Sequence, residues 1–91
     1  MINPNETPRF DTLFRFTHGH EKGLYTFCYS NGNEEIVRYD TDYETDNNLE
    51  LDDPDYEEFF AIVFRRESGE LFEVTYHNLP DSIFCDGKRV I

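Results

Sequence analysis

Twenty acidic against 8 basic side chains give this 91-residue chain a net charge of −12, a field that repels nucleic-acid phosphates and anionic lipid headgroups. The length is that of one domain, and no apolar run approaches the roughly 18–20 residues of a membrane span. Two cysteines, Cys28 and Cys85, are too few for a stapled secreted framework, so a cytoplasmic protein with free thiols is expected, with no membrane contact and no direct nucleic-acid binding.

MINPNETPRF has neither the basic start nor the apolar stretch of an export signal, and residues 1–9 are expected to form a flexible arm ahead of a single β-rich domain, 10–91. TLFRFTH (12–18) sets Phe14 and Phe16 on one side and reads as a first strand. GLYTFCYS (23–30) follows as a second, and Asn31-Gly32 suits the positive φ angles of a type I′ hairpin turn.

EIVRYDTDYETD (35–46) alternates more cleanly than any other segment, with Val37, Tyr39, Thr41 and Tyr43 on a packing face and Ile36, Arg38, Asp40, Asp42 and Glu44 toward water. In DDPDYEE, Asp53 as N-cap and Pro54 at the first helical position predict a short helical turn over 53–58. Tyr56, Phe59, Phe60 and Val63 also have helical spacing, so 53–66 is open to either reading; FFAIVF, rich in aromatic and β-branched residues, favours a strand at about 59–66, which would be central or covered on both faces. ELFEVTYH (70–77) and SIFCDGKRVI, with a tight turn at Asp86-Gly87, complete the chain.

The fold class that follows is all-β or β-rich α+β. About six short strands form an antiparallel meander, as an open barrel or a strongly twisted sheet, with at most one short helical turn near 53–58. The expected core is Phe14, Phe16, Phe27, Phe60, Ile62, Phe64, Phe72, Val74 and Tyr76.

Chemistry-bearing patterns are weak. A calcium loop begun at Asp42 offers Asp42, Glu44, Asp46, Asn48 and Glu50 at alternating positions, but has Asn47 where glycine is needed and Asp53 where a bidentate glutamate is needed. His18, His20, His77 and the cysteines lack a zinc spacing, although His18 and His20 would share one side of a strand. Asp86 beside Cys85 raises a thiol pKa, the wrong direction for a nucleophile. No enzymatic role, metal or cofactor is assigned.

The dominant feature is the segment 39–58, YDTDYETDNNLELDDPDYEE, with ten carboxylates and no lysine or arginine. As a strand it would project Asp40, Asp42 and Glu44 from one face about 6.6 Å apart, close to the spacing of successive phosphates. Expected partner-binding residues are Asp40, Asp42, Glu44, Asp46, Glu50, Asp52, Asp53, Asp55, Tyr56 and Glu57, with Tyr39, Tyr43 and Tyr56 as aromatic anchors. In size and charge the chain resembles nucleic-acid mimics, anti-CRISPR proteins and toxin-neutralising immunity proteins. That resemblance implies an inhibitor or adaptor occupying the basic surface of a nuclease or other nucleic-acid-binding protein. The alternative is a structural or regulatory subunit, monomer or homodimer, that self-associates through an aromatic face or a strand edge.

Overall fold

The structure, a computed structural model, describes residues 7–91. Helix α1 (Thr7–Gly19) precedes six strands: β1 (Leu24–Cys28), β2 (Glu34–Asp46), β3 (Glu58–Arg66), β4 (Leu71–Val74), β5 (Ser82–Cys85) and β6 (Lys88–Arg89). Every pairing is antiparallel, and the order across the single open sheet is β4-β3-β2-β1-β5-β6. Strands β1 to β4 form the expected meander; the chain then crosses back so that β5 lies against the free side of β1.

The helix stands where a strand was expected at 12–18. Phe14 and Phe16 mimic strand alternation, but Phe10, Leu13, Phe14 and Thr17 recur at three- and four-residue spacing and carry the buried stripe. Pro8 lies in the first turn, where its missing N–H costs nothing. Of the expected arm, residues 1–6 lie outside the described residues, whereas 7–9 already belong to the helix. Arg9 fastens that first turn by donating to the carbonyl oxygens of Pro80 and Asp81, both at 2.8 Å.

Residues paired across antiparallel strands share a face, so register assigns the sheet's two sides. Tyr25, Phe27, Val37, Ile62, Phe64, Val74, Ile83 and Cys85 rise from one side and join Phe10 and Leu13 of α1 in a continuous core. Phe64 is its hub, with Tyr25, Phe27 and Tyr39 edge-on at centroid separations of 5.4, 4.9 and 6.4 Å. Strand β3 is flanked by β2 and β4, and its consecutive Ala61, Ile62, Val63 and Phe64 are all buried, as expected of FFAIVF. Phe60 departs from the expected core: it is 42% exposed at the sheet end, touching Phe14.

The turns correct two further expectations. Asn31 keeps a negative φ, and the β1–β2 turn closes through Gly32 at φ 88° with its N–H on the Tyr29 carbonyl, a bulged hairpin in place of type I′. Asp86 and Gly87 do take the paired positive φ values, 50° and 85°, of a tight type I′ connection. No helical turn forms at 53–58. The Asp53 side chain accepts the Asp55 N–H at 2.8 Å, an Asx turn, which uses the same side-chain-to-backbone bond as an N-cap without continuing into helix.

Candidate functional site

One register slip reorganises the acidic strand. Tyr39 pairs with Phe64 and Thr41 with Val63, so Asp40 is a bulge residue without a partner in the register. A single extra residue exchanges the faces beyond it. Tyr39 remains on the helix-covered side; after the bulge that side carries Asp42 opposite Ile62 and Glu44 opposite Phe60, while Thr41, Tyr43 and Thr45 turn to the other. The regular ladder of Asp40, Asp42 and Glu44 opposite a Tyr39/Tyr43 packing face therefore does not form.

Asp40 accepts from the Arg65 guanidinium at 2.9 Å. Asp42 points under the end of α1, where His18 Nε2 lies 3.1 Å from its Oδ2 and the Tyr39 hydroxyl donates to the same oxygen at 2.5 Å. Burial pushes the Tyr39 phenol up, and its bond to the Asp42 carboxylate adds to the shift. Tyr39 is thus a packed residue and not a surface anchor. His18 sits in the last helical turn, so it faces the negative end of the helix dipole as well as Asp42. His20, just past the end of the helix, turns elsewhere, stacked on Phe16 at 3.8 Å with its Nδ1 2.9 Å from the Phe16 carbonyl oxygen.

The loop between β2 and β3 is built on polar side chains. Asn47 donates its amide to the Asp55 carbonyl at 2.8 Å and accepts from the Leu49 and Glu57 N–H groups, tying the neck of the loop. Asp46 accepts the Asn48 N–H at 2.8 Å, where Asn48 adopts a left-handed φ of 65°. Glu57 faces inward: Tyr76 donates to it at 2.6 Å and His77 Nε2 lies 3.0 Å away. The Tyr76 bond, aided by His77, holds the Glu57 carboxyl below its ordinary range against the opposing effect of burial. Burial and the same carboxylate push the Tyr76 phenol up to about 12.

The expected site residues therefore divide. Asp40, Asp42 and Glu57 are engaged in internal pairs. Glu44, Asp46, Glu50, Asp52, Asp53 and Asp55 line the projecting end of the β2–β3 hairpin, with Glu58 beside Tyr56 at 3.0 Å. Tyr43 is exposed and donates to Glu73 on β4; Tyr56 is half-buried. Sequence reasoning passed over Leu49 and Leu51, the latter 79% exposed among the acids. The signal was the isolated apolar pair in NLEL, within a segment too polar to bury it.

Among the described residues, no three histidine, cysteine, aspartate or glutamate side chains gather in a metal-binding group. Burial, and then Asp86, push the Cys85 thiol up. No described helix is long and apolar enough to cross a membrane.

The described chain is a small open sheet carrying one helix and a projecting acidic hairpin. A family model described as "Cognate immunity protein YxxD" matches residues 9–68, which span α1 through β3 and the acidic loop. The chain belongs to that family of cognate immunity proteins, and membership implies a partner toxin. Comparison with curated proteins and with solved structures returns no match.

Proposed function

We propose that the chain neutralises its cognate toxin by binding it, with the acidic end of the β2–β3 hairpin seated on a basic surface of a nuclease or other nucleic-acid-acting toxin. The observation that carries this reading is the joint presence of family membership and a carboxylate-rich, cation-free segment directed to water inside the matched residues. Glu44, Glu50, Asp52 and Asp55 steer the encounter, and Leu51, Leu49, Tyr43 and Tyr56 supply the short-range contacts that long-range charge does not. The protein then acts by occupying an anion site and not by chemistry of its own, in the cytoplasm where such a toxin would strike.

The test is protection of cells that express the toxin domain. Glu44→Gln, Glu50→Gln, Asp52→Asn and Asp55→Asn combined should abolish protection while leaving the thermal transition in place, because none of these carboxylates has a described internal partner. Full protection by this variant would refute the acidic site. A second reading, self-association, is favoured by one observation: the sheet face opposite α1 exposes Leu24, Ile36 and Leu71 around Arg38 and Arg65. A concentration-dependent dimer in sedimentation velocity, lost in Ile36→Glu, would support it.

A further inference from the structure

We propose that the toxin docks by adding a basic strand to the open edge of β2 at residues 41–46. This rests on the toxin-binding reading and names its geometry. Strand β2 has 13 residues, but β1 has only 5 and pairs with β2 only across residues 34–38. Beyond the bulge, residues 41–46 pair with β3 alone, and no backbone bond outside the strand ladders reaches them from any described residue. In an antiparallel pair every second residue turns its N–H and C=O away from its partner, so this stretch presents a row of backbone donors and acceptors for another strand.

The side chains on that stretch select the occupant. Asp42, Glu44 and Asp46 share one face at alternate positions, and Thr41, Tyr43 and Thr45 the other. A second copy pairing there in antiparallel fashion would bring these carboxylates into opposition, and like charges directly across a sheet are destabilising. With Asp42 taken up by His18 and Tyr39, a strand alternating lysine or arginine with β-branched residues meets Glu44 and Asp46 with complementary charge and the Thr/Tyr face with compatible packing. The edge is thus closed to its own kind and open to a basic strand. On the far side Tyr43 reaches across β3 and donates to Glu73 of β4.

The experiment uses the full chain and two capped ten-residue peptides, one alternating lysine with valine and threonine, the other carrying glutamate in place of lysine. Amide hydrogen exchange is read residue by residue. The lysine peptide is expected to slow exchange at every second amide within residues 41–46 by about tenfold or more, and the glutamate peptide to leave it unchanged. Glu44→Lys, an exposed site, should weaken the effect of the lysine peptide. Unchanged exchange at those amides, or protection confined to β4 or β6, would overturn the strand-addition geometry. The toxin reading is decided separately by the protection assay: cells rescued through the hairpin acids while these amides stay open to exchange would leave the reading standing and the edge unused.

Discussion

Glu57 shows how an acid counted as surface becomes structural. The Tyr76 hydroxyl and the His77 ring both bind its carboxylate, closing the acidic loop onto the turn after β4. Because its folded pKa lies below the roughly 4.3 of an unfolded glutamate, its contribution is fully present above that value and is lost as pH falls through the folded pKa. Denaturant titrations of wild type and Glu57→Gln should therefore differ at pH 7 and converge toward pH 2, where both side chains are neutral; a difference independent of pH would contradict the assignment. At Tyr39 two substitutions separate packing from hydrogen bonding. Tyr39→Phe keeps the ring against Phe64 and loses only the bond to Asp42, for about 1–2 kcal/mol, whereas Tyr39→Ala should cost about 3–5 kcal/mol, both read from chemical denaturation.

At the level of elements, the strands were legible where one signal dominated. EIVRYDTDYETD became β2 through its alternation, FFAIVF became β3 through its aromatic and β-branched content without any alternation, and Asp86-Gly87 made its turn because both positions tolerate positive φ. The segment 12–18 carried two periods at once, and the helical one won because it alone lets Phe10, Leu13 and Thr17 cover the open side of the sheet together. Leu13 has no exposed surface, so Leu13→Ala should destabilise by about 2–5 kcal/mol; an effect under 1 kcal/mol would deny the helix its place in the core. The bulge at Asp40 had no sequence signature, since an aspartate in an alternating run looks like any other outward residue. One inserted position was enough to turn Asp42 inward and Tyr43 outward, so the candidate site was legible as a charge run but not as a surface.

Across the whole molecule, charge and shape point to the same end. The structure extends 43 × 25 × 25 Å, and the acidic segment includes the part of the β2–β3 hairpin that runs beyond β1. Asp40 is paired with Arg65, and Asp42 and Glu57 with histidine rings, which leaves the other acids of residues 44–58 to set the field that a toxin would meet. Association governed by that field is fast at low salt and slows as counterions screen it, whereas an interface held by apolar contact does neither. The most direct measurement is the association rate with the cognate toxin domain as a function of ionic strength, for wild type and for the variant neutralised at Glu44, Glu50, Asp52 and Asp55. The expected result is a steep fall with salt for the wild type, and a variant at least about tenfold slower at low salt with a nearly flat dependence. Equal rates and equal salt slopes for the two proteins would contradict a toxin site on the acidic hairpin.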